Sequence, residues 1–122
     1  MTMTKYHAEH TWVRTETDTA WVGITVHAQE TLGDIVFVEL AEIGKSFAQA
    51  SVAGVVESVK AAADVHMPVS ATVIAVNEEL RADPSLANSD PEGAGWFYQV
   101  TLSNPSEVDG LMDASAYQSL VG

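Results

Sequence analysis

The sequence predicts a mostly β domain of antiparallel strands, with a short helix inside the chain and helices at its C-terminal end. Short runs of β-branched and aromatic residues recur along the chain between turn residues, as in antiparallel sheets. The stretches that favour helix are short and lie mainly at residues 26–33 and 106–121. The length of 122 residues fits one domain over 1–122 that can bury its own core.

The first half of the chain predicts strands around one short helix. Thr17 and Asp18 form the turn of the first predicted hairpin. In the helix, Ala28 and Glu30 are good formers, and Gly33 can adopt the left-handed conformation that often ends a helix. The predicted elements are strands over 11–16, 19–24 and 34–40, a helix over 26–33 and a turn over 43–47.

The second half predicts a hairpin, two further strands and a helical tail. Pro68 ends the second arm of the hairpin, because proline cannot donate a hydrogen bond to a strand ladder. Asp83 and Pro84 predict one helical turn, and Ser106 and Asp113 each precede a predicted helix. Strands are predicted over 52–59, 61–67, 71–77 and 96–102, and one apolar helix face is predicted for Leu111, Tyr117, Leu120 and Val121.

The charge balance argues against two classes of partner. The chain has 17 acidic residues against 5 lysines and arginines, a formal net charge of -12. Nucleic acids and anionic membranes are bound through basic surfaces, so neither is expected as a partner. Proteins with basic docking faces are expected instead, although acidity could also serve solubility alone.

The chain has no cysteine, which excludes a disulfide scaffold, a cysteine nucleophile and a thiolate metal site. Any sulfur chemistry must therefore come from an attached group. No apolar run is long enough to cross a bilayer, and the first residues show neither a signal peptide nor a transit peptide pattern. A cytoplasmic protein is the expectation, although a processed organellar protein would show the same features.

One lysine stands apart from this acidic background. Lys60 lies where two predicted strand arms join, between Val59 and Ala61, with Glu57 and Asp64 just outside. A hairpin tip projects its side chain away from the sheet, and small neighbours leave room for an enzyme to approach. Such a lysine suits covalent attachment, since acylation makes its long stem the base of a mobile arm. On spacing alone, an ordinary exposed lysine is the alternative.

The segment around this lysine, ESVKAAADVHMPVSA, closely resembles the lipoylation segment of the glycine cleavage H-protein family. Further blocks resemble the same family, in the family's order, and cover nearly the whole chain. A chance match of this many blocks in order is implausible. The blocks are KYHAEHTWV (5–13), VGITVHAQETLGDIVFVEL (22–40), IAVNEEL (74–80), ANSDPEGAGWF (87–97) and LMDASAYQSL (111–120).

The resemblance implies a barrel-sandwich hybrid fold, like that of lipoyl domains, and a carrier that is not itself an enzyme. Lys60 would hold a lipoyl group in amide linkage and shuttle an aminomethyl group within the glycine cleavage system. The implied partners are a pyridoxal-phosphate glycine decarboxylase, a tetrahydrofolate-dependent aminomethyltransferase, a dihydrolipoyl dehydrogenase and the enzyme that attaches lipoate. A monomer is expected, because an arm that serves several enzymes needs open access.

The resemblance also assigns residues around the attachment site. Asp64 is expected either to hold the terminal amine of the loaded arm in a sheltering cleft or to mark the hairpin, with Glu57, for the lipoate-attaching enzyme. His27 is expected either in the cleft or as a packing residue of the short helix. The recognition segment is Glu57, Ser58, Val59, Ala61 and Asp64, and the cleft set is Glu9, His27 and Asp64.

Two positions depart from the family pattern. Thr11 stands in EHTW where the family often has glutamate, which removes a carboxylate that could have faced the arm. Ala71 stands where the family usually has glycine, and alanine does not readily adopt a positive φ, so the local turn could differ. Neither departure touches attachment at Lys60.

Other interpretations meet simple objections. His7 and His10 have the spacing of a metal pair, but no further ligands follow in a recognisable pattern, so no metal is expected. Glu57 and Asp64 could form a catalytic acid pair, but nothing else predicts a substrate pocket, so no catalytic residue is assigned. A biotin carrier usually has methionine on both sides of its lysine. The open alternatives are a lipoate relay, a lipoyl domain serving another complex and, more distantly, an unmodified structural interaction module.

Overall fold

The computed structural model describes residues 3–16 and 19–121. The strands are β1 Met3–His7, β2 Thr11–Glu16, β3 Thr19–Ile24, β4 Ile35–Leu40, β5 Ser46–Phe47, β6 Val52–Ser58, β7 Ala62–His66, β8 Ala71–Val76 and β9 Tyr98–Leu102. The helices are α1 Val26–Leu32, α2 Glu78–Ala82, α3 Leu86–Ser89, a 3-10 helix Pro105–Gly110 and α4 Ala114–Val121. Among these described residues, no helix has the length and apolar character that crossing a membrane requires.

The strands form two antiparallel sheets. The larger sheet has six strands in the order β1-β2-β3-β9-β8-β5, and the smaller has three strands in the order β4-β6-β7. The β6–β7 hairpin, whose tip carries Lys60, belongs to the smaller sheet. The fold class predicted from the sequence, mostly antiparallel strands with short helices and a C-terminal helix, is confirmed.

One apolar core joins the two sheets. Val22 and Val100 of the larger sheet belong to the same buried cluster as Val56 and Val65 of the smaller sheet. Burying an aliphatic side chain of this size stabilises the fold by about 1.5–3 kcal/mol. The hairpin that carries Lys60 is therefore anchored through its buried side chains, while its tip stays outside the core.

A buried tyrosine also links the sheets through hydrogen bonds. Tyr98 lies on β9, and its hydroxyl donates to the Ala53 carbonyl at 2.5 Å and accepts from the Ala41 amide at 2.8 Å. Ala53 sits where the β6–β7 register shifts, between Val52 and Gly54. Burial raises the pKa of Tyr98, which keeps the hydroxyl protonated and able to donate.

Helix α1 forms over the predicted residues. The Thr25 side chain caps its first turn by accepting from the Ala28 amide at 3.2 Å. Gly33 ends the helix with the expected positive φ of 78°, but its ψ of -152° lies outside the left-handed helical region. That combination is essentially restricted to glycine.

The polar segment before β9 differs from the prediction. Helix α2 is not predicted from the sequence, although Asn77 caps it by accepting from the amide of the second helical residue. Asp83 starts the predicted helical turn, because its carboxylate accepts from the Ser85 amide at 3.2 Å and its carbonyl accepts from the Leu86 amide at 3.1 Å. Helix α3 itself begins at Leu86, two residues after the predicted first helical position.

The C-terminal tail follows the prediction in part. Asp113 caps α4, as predicted, since its carboxylate accepts from the amide three residues later at 2.8 Å. The 3-10 helix, however, has Asn104 as its cap residue and not Ser106. Tyr117 is buried, whereas Leu120 is 54% exposed, so the predicted apolar face is narrower than expected.

The remaining local predictions concern turns. Within the predicted turn 43–47, β5 forms a short strand that pairs with β8. Ala71 is the first residue of β8, pairs with its neighbours and does not have a positive φ. The backbone at this position is therefore one that alanine adopts as readily as the glycine that the family usually has there. The predicted turn at Thr17 and Asp18 lies outside the described residues.

We predict that Tyr98→Phe lowers the free energy of unfolding by about 1–3 kcal/mol. The change keeps the aromatic ring but leaves the Ala53 carbonyl and the Ala41 amide without their partner, and unpaired buried groups cost this much. Urea denaturation measures the loss. Tyr6→Phe is the control, because the Tyr6 hydroxyl bonds to Glu92 at a part-buried site. An equal loss in both variants would contradict the proposed link between the sheets.

Candidate functional site

The tip of the β6–β7 hairpin is a hydrogen-bonded turn that exposes Lys60. The Ser58 hydroxyl accepts from the amides of Lys60 at 3.2 Å and Ala61 at 3.1 Å, and it can donate to the Ala61 carbonyl at 3.1 Å. The Ser58 amide donates to the same carbonyl at 2.7 Å. Val59, Lys60 and Ala61 are exposed. The backbone of the turn is therefore fixed while the lysine side chain is accessible.

The junction between α1 and β4 holds this tip from one side. The Val59 amide donates to the Asp34 carbonyl at 3.0 Å. On α3, the Asn88 side chain donates to the Gly33 carbonyl and accepts from the Ile35 amide, both at 2.8 Å. The backbone on both sides of Asp34 is thus fixed by one side chain. A series of hydrogen bonds therefore runs from α3 to the hairpin tip.

The stem of Lys60 lies against Gly33. A β-carbon added to Gly33 would lie 3.3 Å from Lys60 Cε and 3.8 Å from Lys60 Nζ. A larger side chain at this position would displace the stem. Because Gly33 also has a backbone conformation that only glycine adopts readily, two independent constraints require glycine here.

A cleft of about 350 Å³ opens between α1 and β7. The structure brings Glu9, His27 and Asp64 together in its lining, and these are the residues predicted for the cleft. Leu32, which directly precedes Gly33 in the chain, also lines the cleft, and so do Ala63 and Asp64 of the hairpin that carries Lys60. The other predicted recognition residues lie at the hairpin tip and do not line the cleft; they are Glu57, Ser58, Val59 and Ala61.

His10 forms part of the cleft wall beside His27. The two ring centroids are 4.8 Å apart. His10 has a φ of 67°, a left-handed conformation that is uncommon outside glycine. Its Nδ1 lies 2.7 Å from the Tyr117 hydroxyl of α4, and that hydroxyl lies 2.8 Å from Oγ1 of Thr25. The C-terminal helix therefore helps to hold the cleft wall.

An ionisable pair lies across the rim of the cleft. His66 Nδ1 on β7 is 3.8 Å from Glu9 Oε2, and the Glu9 amide donates to His7 Nδ1 at 3.0 Å. With His10 and His27, all four histidines of the chain lie in or beside the cleft. Within residues 3–16 and 19–121, however, no three potential ligands are grouped so that they could hold a metal ion.

Burial affects the charge of two of these histidines. It lowers the pKa of His10 below its ordinary value of 6.5, and the neighbouring His27 lowers it further. Burial likewise lowers the pKa of His7. Both rings therefore favour the neutral form at neutral pH. Glu9 and Asp64 supply the carboxylate side chains of the cleft lining.

Thr11 forms a deep part of the cleft wall. The residue is buried, and its hydroxyl has no hydrogen-bond partner among the described residues. A buried hydroxyl without a partner costs about 1–3 kcal/mol. The position where the family often has glutamate thus holds a small neutral group here, and the carboxylates of the cleft come from Glu9 and Asp64.

A fixed hairpin tip that exposes one lysine beside a cleft defines a carrier domain. A carrier domain presents a side chain to other proteins. The chain belongs to the glycine cleavage H-protein family, whose model, described as "Glycine cleavage H-protein", matches residues 4–122. The protein is thus a carrier component and not a catalytic enzyme, and its family supports a lipoyl-carrying role in the glycine cleavage system.

Curated relatives and a solved structure agree with this membership. The chain is 56% identical over 119 residues to the glycine cleavage system H protein of Chromobacterium violaceum, covering 97% of this chain and 93% of that protein. It is 57% identical over 114 residues to the glycine cleavage system H protein of Neisseria meningitidis, covering 93% of this chain and 89% of that protein. A crystal structure of the protein from Mycobacterium marinum is similar with a TM-score of 0.88 and 36% identity, over 95% and 94% of the two chains.

Four residues of the site were not predicted in their structural roles. The spacing of His10 suggests only a metal pair with His7, and the sequence predicts no contact at the cleft or the hairpin tip for His66, Asn88 or Tyr117. Tyr117 fits the apolar face of a helix, and its hydroxyl is the local signal of a polar contact, which forms with His10. No local pattern identifies His66 or Asn88, because their partners are distant in the sequence.

We predict that His10 makes the stability pH-dependent. Because the pKa of His10 is lowered in the folded state, the unfolded chain binds more protons between that pKa and 6.5. The free energy of unfolding therefore falls as the pH drops below about 6.5, and this contribution levels off below the folded pKa. His10→Asn tolerates the positive φ and should show a smaller fall between pH 7.5 and 5.5, measured by urea denaturation. The same fall in both proteins would contradict the prediction.

Proposed function

We propose that this protein is the lipoyl-carrying shuttle of the glycine cleavage system, with the lipoyl group in amide linkage to Lys60. It would take the aminomethyl group from the glycine decarboxylase to the aminomethyltransferase and then be reoxidised by dihydrolipoyl dehydrogenase. The observation that carries this proposal is the exposed Lys60, with its stem against Gly33, at the fixed tip of a hairpin whose Ala63 and Asp64 line the cleft. Membership of the family supports it.

The residues around Lys60 fit a lipoyl group. Gly33 leaves room for the stem, and Ala28, Leu32 and Val56 line the cleft with apolar surface suited to an aliphatic chain. The volume of about 350 Å³ lies in the range of small-molecule sites. When bound, the lipoyl group supplies a dithiolane that is strained, because its ring prevents the usual disulfide dihedral, and whose sulfur accepts the aminomethyl cargo.

The carboxylates of the cleft would bind the amine of the cargo. Glu9 and Asp64 lie in the lining, and a protonated amine forms strong charge-assisted hydrogen bonds with carboxylates. The walls formed by α1 and β7 would keep water from the cargo, since excluding water suppresses hydrolysis. In this proposal His27 and His10 form one wall of the cleft and transfer no proton.

The acidic surface and the lipoyl arm on Lys60 would both help the cargo to pass from one enzyme to the next. A net charge of -12 favours encounter with basic docking faces. Once a partner is docked, a tethered arm makes each transfer effectively intramolecular. The partners of this proposal are the decarboxylase, the aminomethyltransferase, the dehydrogenase and the lipoate-attaching enzyme. That the protein is a monomer and lies in the cytoplasm remains a prediction.

A lipoate relay to other proteins is the alternative that shares Lys60. No contact among the described residues favours it over glycine cleavage. The two functions separate in an assay of the lipoylated protein with purified glycine decarboxylase. Formation of the loaded arm supports glycine cleavage, whereas transfer of the lipoyl group to another acceptor, without loading, supports the relay.

We predict that protein made in cells supplied with lipoate carries one lipoyl group, mapped to Lys60 by intact mass and peptide analysis. Lys60→Arg keeps the charge but offers no amine for acylation under these conditions, so it should remain unmodified. Lys45→Arg is the control, because Lys45 is also exposed and lies outside the hairpin; it should be modified as in the wild type. An unmodified wild-type protein, in cells that lipoylate other proteins, would refute the proposed function.

We predict that Asp64→Asn shortens the lifetime of the loaded arm by about threefold to tenfold, as expected for the loss of one charge-assisted hydrogen bond at a solvent-accessible site. The lifetime is measured by mass spectrometry of the isolated loaded protein. The Asp64 change preserves size and removes only the charge. Glu42→Gln, an exposed change that does not line the cleft, should leave the lifetime unchanged. If Asp64→Asn has the wild-type lifetime but is lipoylated more slowly, Asp64 serves recognition instead.

A further inference from the structure

Two neighbouring residues of β4 expose apolar side chains next to the hairpin tip. A strand normally directs successive side chains to opposite faces, yet Val36 is 56% exposed and Phe37 is 50% exposed. The register of β4 against β6 shifts between Ile35 and Phe37, so Val36 is an extra residue in a β-bulge. Bulges re-aim side chains and are frequent next to functional sites. The bulge therefore accounts for both exposures.

A third exposed apolar residue lies at the tip itself. Val59, directly before Lys60, is 68% exposed. Its amide donates to the carbonyl of Asp34, two residues before Val36. We define the tip patch as Val36, Phe37 and Val59. Clustered apolar residues exposed beside one another indicate an interaction site, whereas scattered ones do not.

Acidic residues accompany the tip patch. Glu57 is exposed and pairs with Phe37 across the β4–β6 ladder, and Asp34 is exposed beside Val59. Among residues 57–64, which form the hairpin tip and its flanks, Lys60 is the one lysine or arginine. An apolar centre with a carboxylate rim matches a partner surface with an apolar pocket and a rim of lysine or arginine.

The place of the tip patch favours one partner over the others. Enzymes that act on the far end of an attached arm can remain distant from the base of the arm. The enzyme that acylates Lys60 must instead bring an acyl carbon within bonding distance of Lys60 Nζ, so it has to cover the tip. The fixed backbone of the tip lowers the entropy lost on docking, which favours recognition of this surface.

We propose that the tip patch is the docking surface for the enzyme that acylates Lys60, with Phe37 as the apolar anchor. This inference rests on the proposed function. In the step concerned, the unprotonated Lys60 amine attacks the carbonyl carbon of an activated lipoyl ester or anhydride. The new C–N bond replaces the bond to the activating group, which leaves with the electron pair, and the amine proton goes to solvent or to a base of the enzyme. No oxidation or reduction occurs.

The test measures lipoylation of the full chain by a purified lipoate–protein ligase with lipoate and ATP, followed by intact mass. Phe37→Thr keeps a residue suited to a strand but removes the aromatic anchor. We expect its kcat/KM to fall about tenfold or more, mainly through a higher KM, as for the loss of an anchor at the centre of an interface. Ile43→Thr is the matched control, since Ile43 is 63% exposed and lies outside the tip patch; it should stay within about twofold of the wild type.

A second variant keeps the test independent of folding. Val59→Thr nearly preserves the shape of the side chain in a residue that makes no strand pairing, and it should lower kcat/KM about threefold or more if the tip patch docks the enzyme. Circular dichroism and thermal denaturation identify any variant that is not folded. Should Phe37→Thr not fold, the result for Val59→Thr decides.

Three outcomes would overturn the inference. In the first, folded Phe37→Thr and Val59→Thr are lipoylated as fast as the wild type, or no more slowly than Ile43→Thr. In the second, sedimentation shows a wild-type dimer that Phe37→Thr dissociates, which would assign the patch to a second copy. In the third, Phe37→Thr is lipoylated normally but loaded slowly by the glycine decarboxylase. A wild-type protein that the ligase does not modify would refute the proposed function itself, which separates the two failures.

Discussion

The presentation of Lys60 depends on the hydrogen bonds that hold the junction between α1 and β4. Asn88 fixes the backbone on both sides of Asp34, and the Asp34 carbonyl accepts from Val59 at the hairpin tip. A hairpin tip would otherwise be among the most mobile parts of a domain, because few contacts oppose its motion. The junction restricts the backbone near the lysine and leaves the side chain free, which is the combination that a carrier requires.

The core and the cleft have different physical roles in this arrangement. Apolar side chains from both sheets and the Tyr98 hydroxyl set the distance between the sheets. The cleft lies where α1 meets the smaller sheet, and its wall is held by polar contacts between His10, Tyr117 and Thr25. A rigid scaffold under a polar, accessible surface is how a small domain positions a functional side chain without an enclosed pocket.

The surface combines strong acidity with a few exposed apolar residues beside the hairpin tip. Repulsion between carboxylates opposes the close approach of two copies of a protein of net charge -12. Against this background, an apolar group at the tip is attractive mainly to a partner that brings positive charge as well. Acidity therefore adds selectivity to a surface that, on a neutral protein, would favour association with many others.

The sequence by itself determined seven of the nine described strands, helix α1, the capped start of α4 and the place of Lys60, because these depend on side-chain patterns within a few residues. It did not determine strands β1 and β5, helix α2 or the bulge at Val36, since short elements and a register shift depend on packing more than on local preference. Only the tertiary structure decided which side chains form the cleft and its supports. His10 and Tyr117, for example, are 107 residues apart in the chain. Such residues meet when burial of the shared core brings the sheets and helices together, and no local pattern encodes that meeting.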